Sequence, residues 1–417
     1  MSKREYVLDK EIAKGSNGTI IFEGSYGARK VAVKRLVRTE ALVERLIQAD
    51  SDVGSDEYNV HVEADRFNNI VRSYGRECDK SFVYLFLELC TCSLDDLIRV
   101  CSPSFPQNDC PASEKRRLMS VKCILGDNVT LWKENGYPSP LLLKLMRDVV
   151  CGLMNLHENK MVHLNLTTRN ILIAGTTALC AKLSDMARSK KFRGDNSSTS
   201  HRGTNVELVF EDEIAKDLIR LGDVLSFCIN GGRNQFNYAP LSVNRAPPEA
   251  IDLISQLRNF PTYGRPKAIE AYNHPLFWDS DTKLSFLRDT SDRLKGKKNY
   301  KLSKELINIQ GEVFRSSWDT KLDSKLIDAI EKCGVRLFKR YDYNNFLDLL
   351  RLVRNYFNHY QELPKEIQAL LGPKPRGYYE YFEKRFPKLL IEVYNAVRKF
   401  GKEEEGFKKY FHNNLVR

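Results

Sequence analysis

A glycine turn and a lysine sixteen residues beyond it set narrow limits on how this chain can fold. Ala13-Lys-Gly15-Ser-Asn-Gly18-Thr-Ile20 lies between two strand-like runs, and Lys34 closes the run Val31-Ala32-Val33-Lys34. With Tyr6-Val-Leu and Thr19-Ile-Ile-Phe these read as a β-meander with tight turns. Glycines allow such a hairpin tip to close over phosphates with its amides exposed, and the lysine neutralises them. Alone, the glycines fit a plain hairpin turn better. Phe82-Val-Tyr-Leu-Phe-Leu87 reads as a buried strand, and Leu87-Glu88-Leu89-Cys90 at its end supplies backbone donors and acceptors for a purine base.

In order and spacing these pieces resemble the N-lobe of a protein kinase. The resemblance implies an adenine nucleotide held by Ala13, Gly15, Gly18, Ala32, Lys34, Glu88 and Cys90, with Glu44 as the helix carboxylate that pairs with Lys34 and Glu40 as the alternative. His163-Leu-Asn165-Leu-Thr-Thr-Arg-Asn170 then stands where kinases carry H-R-D-L-K-x-x-N, and Asp185-Met186-Ala187 stands where they carry D-F-G. Asn170 and Asp185 are the oxygen donors expected to hold Mg²⁺ with ATP or ADP. The catalytic aspartate is replaced by Asn165, whose amide cannot accept a substrate hydroxyl proton. Leu164, Thr167 and Ala187 replace the usual Arg, Lys and Gly. Ala246-Pro-Pro-Glu249 imitates a further kinase motif but follows the helix Asp217–Gly222 instead of preceding it, and reads as a helix start. The expectation is nucleotide binding without efficient phosphoryl transfer.

At 417 residues the chain has room for two or three domains, and 42% apolar with 29% charged residues excludes wholesale disorder. No run approaches the ~18–20 apolar residues that span a bilayer, and no signal peptide is expected. The ten cysteines form no CxxC pair, which points to free thiols in a reducing compartment and no structural metal. Leu141–His157 reads as a strong helix, 40–49 as helical, 50–69 as a polar insertion and 194–205 as a loop. With five Pro and three Cys, 101–140 reads as a loop insertion. From 279 onward nearly every segment has helical periodicity, and there 29 Lys and Arg face 20 Asp and Glu. That excess of the overall +12 fits either a polyanion-binding module or a solvated basic surface.

In the basic region, Phe346, Leu349, Leu350 and Val353 form an apolar helical stripe. Asn355 and His359 are four apart and share a face if the helix continues, with Arg354 and Asn358 at its flank. Such a set suits RNA cleavage without metal: His359 as acid, Arg354 and Asn355 as a phosphate clamp, Tyr341 as base or base-orienting group. By spacing alone, His359 reads more readily as a structural residue near a helix end. His157, His163 and His274 read as structural, and His61, His201 and His412 as loop or tail residues.

Over nearly its whole length the chain resembles the cytosolic half of the inositol-requiring kinase–endoribonuclease of the unfolded-protein response, in its plant form. Glu11-Ile-Ala-Lys-Gly-Ser-Asn-Gly-Thr19, Leu87-Glu-Leu-Cys-Thr-Cys-Ser-Leu94, Leu131-Trp-Lys-Glu-Asn-Gly136 and Ala181-Lys-Leu-Ser-Asp-Met186 carry the likeness. His274-Pro-Leu-Phe-Trp278, Leu284-Ser-Phe-Leu-Arg-Asp289, Glu362-Leu-Pro-Lys-Glu366 and Arg385-Phe-Pro-Lys-Leu-Leu390 extend it. The resemblance implies an α+β chain: a bilobal protein-kinase-like fold, 1–89 and 90–278, followed by an all-α ribonuclease domain, 279–417. It implies a dimer, or a heterodimer with full-length relatives, that cuts RNA stem-loops (mRNA) without metal, with ATP or ADP as regulator. The family's ribonuclease residues fall on Tyr341, Arg354, Asn355 and His359. Tyr356 stands where most relatives have Lys, putting one phosphate contact in doubt. With no membrane span expected, the implied place is the cytoplasm, with recruitment to the ER surface by a partner. A non-catalytic partner of full-length relatives, and a Ser/Thr kinase with residual activity, are the rival readings.

Overall fold

The structure, a computed structural model, describes residues 6–15, 18–39, 66–102, 111–192, 206–232, 246–259, 261, 264–294, 300–334 and 340–412. It divides into two compact units, Met1–Ala246 with Ile254–Tyr272, and Pro247–Leu253 with Asn273–Arg417.

The first unit opens with the expected meander, β1 (Tyr6–Lys14), β2 (Ile20–Tyr26) and β3 (Arg29–Val37). β4 (Ser73–Cys78) and β5 (Phe82–Glu88) complete an antiparallel sheet in the order β1-β2-β3-β5-β4. Alternation along β3 sends Val31 and Val33 to one face, with Tyr6, Tyr84 and Phe86. Ala32 and Leu36 go to the other, with Val71, Val83, Leu85 and Leu87. Lys34, two residues from Ala32, therefore projects from the Ala32 face.

After β6 (Cys92–Ser93), helix α1 (Leu94–Cys101) starts with a reciprocal cap between Ser93 and Asp96. Helix α2 (Ala112–Leu125) occupies part of the stretch 101–140 that composition marks as loop. The prolines lie on either side of it, and Leu118, Val121 and Leu125 bury one helical stripe. In α3 (Pro140–Glu158), Ser139 accepts the Leu142 N–H at 3.2 Å and Pro140 takes the first turn. The expected stripe at 142, 145, 146, 149, 150, 153 and 156 is buried. β7 (Met161–Val162), β8 (Ile171–Ala174), β9 (Cys180–Leu183) and β10 (Lys190–Lys191) form two small sheets, β6-β8-β9 and β10-β7. α4 (Val206–Ile229), α5 (Pro248–Asn259) and α6 (Ala268–Tyr272) follow, and Ala246-Pro-Pro-Glu249 does open a helix.

The described residues of the second unit contain helices and no strand: α7 (Ser280–Arg293), α8 (Tyr300–Asn308), α9 (Gln310–Val313), α10 (Ser324–Gly334) and α11 (Phe346–Asn358). α12 (Lys365–Leu371), α13 (Arg376–Arg385), α14 (Leu389–Phe400) and α15 (Glu405–Phe411) complete it. They share one core, in which Leu284 and Leu287 of α7 meet Leu349, Leu350 and Val353 of α11. Each such side chain contributes roughly 1.5–3 kcal/mol on burial. Among the described residues no helix is long and apolar enough to cross a membrane.

Candidate functional site

In the first unit, two segments converge on Asp185 through hydrogen bonds. Lys34 Nζ donates to its Oδ1 at 2.8 Å and Asn165 Nδ2 to its Oδ2 at 2.6 Å. Burial raises the Asp185 carboxyl, but Lys34 and the Asn165 amide outweigh it and hold it below the usual range. Asp185 is left-handed at φ 61, as is Leu164 at φ 59. The Leu164 turn is held by Asp217 of α4, which accepts the His163 and Leu164 N–H groups at 2.7 Å each. His157 Nε2 lies 3.0 Å from the same carboxylate. His163 is fully buried, and burial keeps it neutral; its Nε2 meets the Ser184 carbonyl at 3.1 Å while Nδ1 accepts the Asn165 N–H at 3.2 Å. His157 and His163 therefore serve the framework, as their sequence positions imply.

Asn170 donates through Nδ2 to the Asn165 carbonyl at 2.8 Å, and its own carbonyl accepts from Ser184 Oγ at 2.9 Å. Glu88, at the end of β5, pairs with Lys182 at 2.9 Å, and its N–H donates to the Arg72 carbonyl at 2.9 Å. Gly18 has φ 73, the left-handed backbone that favours glycine at the tip between β1 and β2. Ala13 pairs with Ile21 in that hairpin. Glu44 and Glu40, named as partners of Lys34, lie outside the described residues. The donor set fits a magnesium nucleotide: a carboxylate and an amide side chain at the cleft, a buried lysine between them and the strand, and an apolar wall of Ala32, Leu87, Cys90 and Leu172.

The second unit assembles its site around α11. Asn345 caps the helix by accepting the Leu347 N–H at 2.9 Å, and Phe346, Leu349, Leu350 and Val353 anchor it in the core. Just before it, Tyr341 is 6% exposed, with the Arg351 guanidinium 4.5 Å above its ring. Asn355 Nδ2 donates to Tyr341 Oη at 3.0 Å, and Asn355 Oδ1 accepts from Arg354 Nη1 at 2.7 Å. Arg354 Nη2 is held in turn by Asp292 of α7 at 2.8 Å. The helix ends at His359, whose N–H donates to the Asn355 carbonyl at 2.9 Å and whose Nδ1 lies 2.9 Å from Glu362.

The structure thus links Tyr341, Asn355 and Arg354 by direct hydrogen bonds and sets His359 one turn beyond Asn355. Their burial and contacts bear on the expected roles at three positions. Asn355 is 4% exposed with both polar groups engaged, its amide donating to Tyr341 and accepting from Arg354. Burial pushes the Tyr341 phenol up, against the lowering by the Asn355 hydrogen bond and Arg351. It stays protonated near neutrality, which favours orienting over acting as base. Tyr356 is 1% exposed inside the core, so this position presents no side chain to a phosphate. Sequence reasoning passed over Glu362 and Asp292. The first has a signal, the i,i+3 spacing from His359; the second comes from another helix and has none.

Comparison with known proteins follows the same division. Residues 6–227 match the family described as protein tyrosine and serine/threonine kinase, and 283–411 the family described as ribonuclease 2-5A. The chain is 42% identical over 434 residues to the Arabidopsis thaliana serine/threonine-protein kinase/endoribonuclease IRE1b, covering 97% of this chain and 47% of that protein. It is 41% identical to IRE1a of the same plant, covering 99% of this chain and 51% of the relative. It therefore spans about half the length of these relatives. The Arabidopsis inactive serine/threonine-protein kinase/endoribonuclease IRE1-like is 33% identical, with 99% of this chain and 79% of that protein covered. A kinase domain with a β-sheet N-lobe and helical C-lobe, followed by a helical ribonuclease domain, places this chain in the IRE1 family of kinase/endoribonucleases, close to its plant members.

Proposed function

We propose that this chain is an endoribonuclease that cuts RNA stem-loops without metal, works as a dimer, and uses its kinase-like half to bind ATP or ADP with Mg²⁺ as a regulator. The observation that carries the reading is the hydrogen-bonded chain Asp292–Arg354–Asn355–Tyr341, with the His359–Glu362 pair ending the same helix. Cleavage proceeds by attack of the 2′-oxygen on phosphorus. The 2′-OH passes its proton to a solvent water held at the Tyr341 hydroxyl, and the departing 5′-oxygen takes one from His359, leaving a cyclic phosphate. With Glu362 on Nδ1, Nε2 is the His359 nitrogen that exchanges that proton. Arg354, oriented by Asn355 and Asp292, stabilises the charge on the pentacoordinate phosphorus.

In the kinase-like half the amide of Asn165 faces Asp185 as a donor, so Asn165 itself is not placed to take a hydroxyl proton. A magnesium nucleotide would be held with its phosphates at Lys34 and its metal ion at the Asp185 and Asn170 oxygens. Its role is to favour the dimer, at the cytoplasmic face of the endoplasmic reticulum and in company with full-length relatives. The test is cleavage of a labelled stem-loop over a range of protein concentrations. Activity per protomer should rise with concentration. Activity per protomer independent of concentration would remove the dimer, and silence at every concentration would favour a non-catalytic partner.

A further inference from the structure

We infer that Arg288 and Lys374 form a subsite for a backbone phosphate of RNA, beside the cleavage site and outside the four residues carried over from the family. The inference rests on the proposed RNA cleavage. α7 packs along α11 in the opposite direction, so that Asp292 meets Arg354 and, one turn earlier on α7, Arg288 meets Phe357. The Arg288 guanidinium lies 4.4 Å from the Phe357 ring centroid, and the Lys374 ammonium also lies 4.4 Å from it. Lys374 Nζ further donates to the Phe357 carbonyl at 3.1 Å, at the end of α11 that carries His359.

Two cations are thus held within roughly 9 Å of each other, about one Debye length at physiological salt. Asp292 neutralises Arg354, yet no carboxylate among the described residues pairs with Arg288 or Lys374. Arg288 Nε is buried without a hydrogen-bond partner. The stretches of this unit outside the described residues, 295–299, 335–339 and 413–417, contain no Asp or Glu to serve as one. Burial, and after it the repulsion of Arg288, lowers the Lys374 ammonium. An anion between the two relieves that repulsion and gives the guanidinium the partner its fork geometry suits. A phosphodiester one or two nucleotides from the scissile bond is the anion an RNA strand brings to this end of α11.

Binding of a fluorescent RNA stem-loop in EDTA, titrated over salt, tests the subsite. The His359→Ala chain serves as parent, so that the RNA stays intact. Arg288→Gln and Lys374→Gln should each weaken binding about threefold to tenfold, whatever the loop sequence, and reduce the slope of log affinity against log salt by about 0.7–1. Arg288→Lys and Lys374→Arg should keep the slope, and melting temperatures should stay near that of the parent. An unchanged slope in both glutamine variants overturns the subsite. So does weaker binding that only follows a lowered melting temperature and is equally present in the charge-keeping variants. If the parent binds no RNA and the unmutated chain cleaves none, the ribonuclease reading itself fails, which is a different result.

Discussion

His359 and Glu362 show how much of the chemistry depends on single side chains. In the proposed mechanism His359→Ala removes the acid that protonates the leaving oxygen, and the change should lower cleavage by about 10²–10⁴-fold. Because His359 is partly exposed at a helix end, the melting temperature should be unchanged. Glu362→Gln leaves the imidazole in place but loosens its orientation, so kcat should fall while KM holds. Single-turnover cleavage rates check both. Tyr356→Lys runs the other way. With Tyr356 1% exposed, the lysine brings a charge into the core and should cost about 1–3 kcal/mol without raising activity, read from urea midpoints beside the cleavage rate. Tyr341, Arg354, Asn355 and His359 could be singled out as candidates in the sequence, and the structure joins the first three by hydrogen bonds. Their division of labour was not legible there, because burial and the orientation of an amide are settled by neighbours distant in the chain, such as Asp292.

At the scale of elements, Asp217 of α4 carries the turn that presents Asn165. It is fully buried and accepts from His163 N–H, Leu164 N–H and the His157 ring. Asp217→Ala leaves two buried amides unpaired around a left-handed leucine and should destabilise the first unit by about 3–5 kcal/mol, seen as a lower urea midpoint. Asn165→Asp replaces the amide donor, 2.6 Å from Asp185, with a second carboxylate. That repulsion should lower the melting temperature of the nucleotide-free chain, and magnesium nucleotide should restore more of it than in the unmutated chain. An equal nucleotide shift in both would contradict this account of the cleft. The meander and α3 were readable because their apolar periods are clean. α2 was hidden because prolines crowd the segments beside it, although its Leu118–Val121–Leu125 stripe was present. The Asp217 contact links residues 54 apart and left no local pattern.

For the whole molecule, acid stability follows from histidines buried in both units. Burial holds His163 in the first and His274 in the second below their ordinary value of 6.5. As the pH falls through 6.5, the unfolded chain takes up protons that these folded rings refuse, so stability falls. Glu249 acts in the opposite sense, since burial raises its carboxyl and acidification relieves it. Urea midpoints should drop between pH 7.5 and 5.5, and Glu249→Gln should steepen the drop; a midpoint that rises on acidification would contradict the assignment. The two-part order of the chain was legible because the β-type alternation near the start gives way to helical periods and basic excess after 279. The central claim, an acid–base ribonuclease built on α11, is tested most directly by incubating the chain with a stem-loop RNA in EDTA beside His359→Ala and analysing the product ends. The account predicts cyclic-phosphate ends from the unmutated chain and intact RNA from the variant. Cleavage that survives in His359→Ala, or that EDTA abolishes, would contradict it.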